Sequence, residues 1–196
     1  MRFQPAEAGT ARHPAEGAGH RGLAEAALPG TEKKTVAEGR IILWADESGF
    51  CLLPALLRTW APAGRTLVIR RKLSRESLSA ISTLTMKGGL YLAAQEGSYK
   101  SEDITGFLGQ LLKEILGKLL VIRDGEPVHR SRAVKEWLAH GAARRIQLEQ
   151  LPGYAPELNP DEGVWRYLKR MELKNLACAD LDQSGREFRA AALGCG

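Results

Sequence analysis

Apolar residues along the chain keep two rhythms, short unbroken runs and stripes at three- and four-residue steps. IILWAD (41–46) is an unbroken run that ends in an acid, the mark of a strand buried on both faces. A Ser48-Gly49 turn and a second apolar stretch, FCLLPALL (50–57), are expected next, and TLVIRR (66–71) reads as a strand after the Pro62/Gly64 break. SLSAISTLTM (77–86) and LYLAAQ (90–95), joined through Lys87-Gly88-Gly89, predict a hairpin. In DITGFLGQLLKEIL (103–116) the apolar residues Ile104, Phe107, Leu108, Leu111, Leu112 and Ile115 line one helix face, and Gly117 closes it. KLLVIRD (118–124) is a second buried strand ending in an acid. SRAVKEWLAHG (131–141) predicts a helix capped by Ser131 and stopped by Gly141. RRIQLEQL (144–151) predicts a strand, and DEGVWRYLKRMEL (161–173) a helix entered through Asn159-Pro160.

Strands linked as hairpins come first, and strands alternating with helices follow. That order predicts an α/β domain, a mixed sheet flanked by helices in the ribonuclease-H-like arrangement. No repeat of 20–50 residues suggests a solenoid. The pattern weakens at both ends. Residues 1–40, rich in Ala, Gly, Pro and Glu, read as a flexible or poorly ordered leader. Residues 41–176 form the expected folded domain, and 177–196 read as a clipped tail of weak helical character.

Composition narrows the class without identifying it. Apolar residues are 44% and charged ones 26% of the 196, which is ordinary for a globular chain and allows a sizeable core. The net charge of +5 is compatible with a phosphate-backbone partner. Cys51, Cys178 and Cys195 are far apart, with no zinc spacing, so reduced thiols in an intracellular protein are the expectation. No apolar run reaches the roughly 18–20 residues of a membrane span, and the N-terminus lacks an apolar signal core.

The acids change the picture more. Asp46 and Asp124 each end an apolar strand, so neighbouring strands would bring both carboxylates to one end of the sheet. Glu162 opens a helix, and Glu157 and Asp161 are rivals for the same part. A single strand-end acid is ordinarily a cap or a solvated charge. Three carboxylates held together repel one another unless cations neutralise them. Mg²⁺ or Mn²⁺ takes hard oxygen ligands and keeps open positions for phosphate. Two such ions about 4 Å apart suit in-line phosphoryl displacement.

Four segments carry a resemblance: WADESGFCLLP (44–54), RTWAPAG (58–64), VIRDGEPVHRS (121–131) and LPGYAPELNPDEGVWRYLKR (151–170). Together they resemble the IS630-type branch of the Tc1/mariner transposase superfamily, over roughly residues 41–176. The resemblance implies a catalytic and metal-binding triad of Asp46, Asp124 and Glu162, the last two 38 positions apart (124 to 162). It implies a metal-dependent DNA endonuclease and strand-transfer enzyme using Mg²⁺ or Mn²⁺, two ions in all. Its partners would be the terminal inverted repeats and target DNA, worked on by a homo-oligomer. It would be cytoplasmic, associated with the nucleoid when bound to DNA.

His129 fits the superfamily's histidine position and would orient a ligand, a water or a phosphate, or else cap the next helix. Gly125 stands where many relatives carry Asn. Arg65, Arg70, Arg71, Lys72, Arg130, Arg132, Lys169 and Arg170 are the candidate phosphate contacts, with Arg58, Arg144 and Arg145 also in the basic clusters. Trp44, Trp60, Trp137 and Trp165 fall within apolar patterns and read as core, base stacking being the alternative. Relatives place helix-turn-helix modules ahead of this domain, and residues 1–40 are too short and too poor in apolar residues for them. A separately encoded helix-turn-helix protein, or a decayed copy, is expected on that ground. Two other readings remain: a ribonuclease-H-like nuclease of different specificity, and an inactive DNA-binding remnant.

Overall fold

The computed structural model describes residues 35, 37–51, 63, 77–125, 131–152, 158–173, 178 and 180–194. Five strands form one sheet: β1 (Arg40–Cys51), β2 (Ser77–Thr85), β3 (Leu90–Glu96), β4 (Lys118–Arg123) and β5 (Ile146–Gln150). Their order is β3-β2-β1-β4-β5. β1 pairs antiparallel with β2 and parallel with β4, while β2–β3 is antiparallel and β4–β5 parallel. The sheet is therefore mixed, as the order of patterns predicts.

The β2–β3 hairpin turns at glycines, and the reason is local. Gly88 has φ +83°, a region that L side chains rarely adopt, and its N–H donates to the Thr85 carbonyl at 3.0 Å. Next to it, the Gly89 N–H donates to Thr85 Oγ1 at 2.8 Å. β1 departs from expectation. No turn forms at Ser48-Gly49, and the strand runs straight through, with Ser48 opposite Ala80 and Gly49 opposite Ser79. Continued pairing with β2 satisfies that backbone, which an early turn would leave unpaired. Of the expected second stretch, only Phe50 and Cys51 are described, and they belong to β1. The strand expected over 66–71 lies outside the described residues.

Helices cover both faces. α1 (Ser101–Glu114) and α2 (Arg132–Ala139) lie on one, and α3 (Asp161–Tyr167) and α4 (Leu181–Gly194) on the other. α2 begins as expected, with Ser131 Oγ accepting the Val134 N–H at 3.3 Å. Leu43, Ala45, Ile81, Leu119 and Val121 meet Ile104, Phe107, Leu108 and Leu111 of α1 in an apolar core. On the opposite face, Ile42, Trp44, Leu120, Ile122 and Leu151 form a second cluster. Phe50, Leu78 and Ala80 pack there against Trp165, Leu168, Phe188 and Ala191.

Three local details differ from the sequence reading. β5 begins at Ile146, because Ala142–Arg144 is a 3₁₀ turn and Arg145 folds back. The Arg145 guanidinium donates to the carbonyls of Leu112, Ile115 and Gly117 at 2.7–2.9 Å, closing the end of α1. The helix expected over 161–173 changes pitch, passing from α3 into a π-helical turn at Leu168–Glu172, where the Leu173 N–H reaches the Leu168 carbonyl. The segment read as a weak tail contains α4, a 14-residue helix whose Phe188 and Ala191 are buried against the sheet.

Candidate active site

Strand alternation decides which acids can meet. Along β1, Ile42, Trp44, Asp46 and Phe50 face α3 and α4, whereas Leu43 and Ala45 face α1. Ala45 lies beside Arg123 in the parallel β1–β4 ladder, so Asp46 comes next to Asp124, one residue past the end of β4. Ser82 of β2 stands directly opposite Asp46 on its other side.

Helix α3 brings the remaining acids. Asp161, Trp165 and Leu168 recur at helical spacing and are buried, a stripe that seats the helix on the sheet. Glu162 lies beside that stripe and is exposed. The Trp165 Nε1–H donates to Asp46 Oδ2 at 3.0 Å. The indole is held in turn by Phe50, edge to face at 6.0 Å between ring centroids, and Phe50 packs on Phe188 of α4 at 4.9 Å.

Burial pushes the Asp46 carboxyl up to about 6, and the charges of Glu162 and Asp124 push the same way. The Glu47 N–H and the Trp165 N–H oppose that shift by favouring the carboxylate. Glu162 and Asp124 are thus both close enough for Asp46 to feel them. Asp161 is fully buried and its pKa is raised well above the usual carboxylate range, by burial first and then by the charge of Asp46. Neither Asp161 oxygen has a hydrogen-bond partner. Ser82 lies near enough to favour its ionised form, yet the Ser82 hydroxyl stops short of a hydrogen bond. A buried acid without partners is costly, so its position beside Asp46 calls for an explanation.

Asp124 also borders a cleft of about 340 Å³ on the opposite side of the sheet end, with Glu47, Ser79, Ser98 and Tyr99 in its walls. The Tyr99 hydroxyl donates to the Ala93 carbonyl at 3.0 Å, which fixes that wall.

Of the residues singled out in the sequence, Asp124 and Glu162 lie near enough to Asp46 for their charges to raise its pKa, and Asp161 feels the charges of Asp46 and Glu162 in the same sense. Lys169 and Arg170 follow on the same helical segment. Lys169 Nζ sits 5.2 Å from the centroid of the Phe50 ring, and Arg170 is exposed. Arg132 belongs to α2 in the other layer, where its Nε donates to Glu136 at 2.6 Å in an exposed pair. Arg145 has all three of its guanidinium nitrogens bonded to carbonyls at the end of α1 and just beyond it, which holds the group there. A Cβ at Gly125 would come within 2.7 Å of Gln150 Nε2, so a larger residue there would require that side chain to move. Trp44 and Trp165 are core residues, and Trp137 packs against the α1-side core. His129, Arg58, Arg65, Arg70, Arg71, Lys72, Arg130, Trp60 and the rival acid Glu157 lie outside the described residues. Ser82 and the indole donor on Asp46 escaped the sequence reading, because both depend on contacts between distant parts of the chain.

Comparison with known proteins gives the arrangement its context. The family model described as DDE superfamily endonuclease matches residues 41–183. The Tcb1 transposase of a transposable element in Caenorhabditis briggsae is 34% identical over 77 residues, 39% of this chain and 27% of that protein. The Tcb2 transposase of the same organism is 32% identical over 59 residues, 30% of this chain and 20% of that protein. The chain therefore aligns with less than a third of either relative. Among solved structures, the mariner Mos1 paired-end complex with Mg superposes with a TM-score of 0.60 at 16% identity, covering 93% of this chain and 56% of that one. The Mos1 strand transfer complex gives 0.57 at 16% identity, with 89% and 54% covered. At that identity the likeness is one of fold. No helix among the described residues is long and apolar enough to cross a membrane.

Proposed function

We infer that this chain, which belongs to the DDE superfamily endonuclease family, is the catalytic domain of a Tc1/mariner-type transposase that cuts DNA strands and joins them to new sites. The observation that supports the reading is that Asp124, at the end of β4, and Glu162, at the start of α3, come near enough to Asp46 on β1 for their charges to act on its carboxyl. Acid side chains are costly to hold together, and a divalent cation removes that cost.

The donors fit such an ion in kind. All are hard carboxylate oxygens, Asp46 is penalised by its acidic neighbours, and Asp161 keeps both oxygens unpartnered beside it. Among the described residues no three acid, His or Cys side chains already stand close enough to grip an ion, so binding would draw Glu162 and Asp124 inward around Asp46. Asp46, Asp124 and Glu162 would hold Mg²⁺ or Mn²⁺, two ions in the full site. When bound, these supply charge for an in-line displacement at phosphorus and lower the pKa of a water.

The chain's own residues then have separable tasks. Asp46 is the fixed ligand, sitting within the stretch of β1 paired with β2, one residue past the last rung shared with β4. Glu162 is the solvent-facing ligand, able to follow the substrate side. Arg170 and Lys169, along the same helical segment, would take phosphates, and so would Arg65, Arg70, Arg71, Lys72, Arg130 and Arg132, while His129 would orient a ligand, a water or a phosphate. DNA carrying terminal inverted repeats is the proposed substrate, and a second copy of this chain the proposed partner. Mos1, the fold relative, is itself seen in paired-end complexes with Mg and with Mn. A cytoplasmic protein that gathers on nucleoid DNA fits the same reading.

The test is cleavage of duplex DNA ending in the element's inverted repeats, with Mg²⁺, by wild type and by Asp124→Asn. Loss of at least about a thousand-fold in rate is expected, equivalent to about 4 kcal/mol. Equal rates would overturn the assignment. Cleavage of an RNA–DNA hybrid in place of duplex DNA would move the protein to another nuclease class.

A further inference from the structure

Asp46 has a built partner that neither its charge nor its neighbours in sequence require. The Trp165 indole N–H points at Oδ2 from 3.0 Å, across 119 positions of chain. Trp165 is 3% exposed and Asp46 partly buried, so the donor side of the bond is shielded from water. Its ring is clamped through Phe50 by Phe188, which ties α4 to the site. A Trp has one donor and no acceptor, so this contact favours a carboxylate at Asp46 and fixes which oxygen is used.

We infer that Trp165 is a positioning residue for the cation site: it locks the Asp46 carboxylate in one rotamer, with Oδ2 turned to the indole and Oδ1 left for the ion. The inference rests on the reading that Asp46 holds a divalent cation. Four lone-pair directions are available on a carboxylate, and the Glu47 N–H and the indole N–H use fixed ones. Partners of this kind tune affinity, since a ligand that must be reoriented on binding spends part of the binding energy.

The experiment is calorimetric titration of wild type and Trp165→Phe with Mn²⁺ alone, well below either melting temperature. Phe keeps an aromatic ring against Phe50 and removes the donor. The dissociation constant for Mn²⁺ should rise about 10- to 100-fold. An unchanged constant, with only a lower melting temperature, would reduce Trp165 to a packing residue and overturn the inference while leaving the cation site standing. No Mn²⁺ heat from wild type would overturn the cation reading, and this inference with it. A second measurement needs no Trp165 variant. In wild-type protein the assigned Trp165 indole N–H resonance should shift on Mg²⁺ addition, and one that stays put while other site resonances move overturns the inference equally.

Discussion

The two faces of the sheet are built from the same strands and obey different rules. Toward α1, Leu43, Ala45, Leu119 and Val121 pack into a core of apolar side chains, with buried Thr83 opposite Ala45 as a polar exception, and the apolar residues contribute by filling space. Toward α3, the alternate residues of β1 and β4 begin as an equally apolar cluster at Ile42, Trp44, Leu120 and Ile122. The same rows then run into Asp46 and Asp124, with Ser82 and Asp161 buried beside them. One face stores stability and the other sacrifices some of it to hold acids together. The contrast is sharp because the strands are continuous, and only the parity of the position decides which rule applies.

Truncation on the storing face should have the largest effect. Leu111 of α1 is 1% exposed in the middle of that core. Leu111→Ala should cost about 2–5 kcal/mol in urea unfolding, through lost burial and a residual cavity, and leave the Mn²⁺ affinity unchanged. A matching loss of affinity would mean the two faces are not separable.

The acid face should answer to pH. Asp46 holds its proton up to about pH 6 in the folded chain, against about 3.9 for an unfolded aspartate. Below pH 4 the group is protonated in both states and carries no penalty. As pH rises toward 6 the unfolded state loses its proton first, so folding becomes progressively less favourable. Metal-free protein should lose roughly 2–3 kcal/mol across that window relative to Asp46→Asn, with buried Asp161 acting in the same sense in both. Unfolding midpoints in chelator at pH 4, 5, 6 and 7 give the comparison. Parallel profiles for the two proteins would remove the penalty at Asp46.

The smallest effect belongs to a residue outside both cores. Arg145→Ala uncaps three carbonyls at the end of α1 and should cost about 1–2 kcal/mol, with the salt dependence of DNA binding unchanged. A shallower salt slope would return Arg145 to the DNA interface.

Much of this contrast was legible from residue order. The α1 stripe, the glycine hairpin and the two strands ending in Asp46 and Asp124 all follow from local periodicity, which reports a residue's face without its partner. What stayed hidden depends on register. Nothing near Ser48-Gly49 announces that β2 will keep pairing past it, so a turn was the natural reading. Ser82 became Asp46's neighbour, and Trp165 its donor, through contacts between segments far apart in the chain. In sequence Arg145 is one more positive charge, and only its place behind α1 gives it a task. α4 looks weak in sequence because small residues such as Gly185 and Ala191 form part of its buried side, and its seat on the sheet rests on Phe188 and Ala191.

The unequal lengths of β1 and β4 have a mechanical consequence. β1 continues to Cys51, and Asp46 lies within the stretch bonded to β2, while β4 stops at Arg123, one residue before Asp124. The pair resembles a bench vice. Asp46 is the jaw bolted to the frame, and Asp124, just past the last rung of its ladder, is the jaw on the screw. In the proposed site, any change of spacing around a bound phosphate would fall to the Asp124 side, and the reference edge at Asp46 would keep its place.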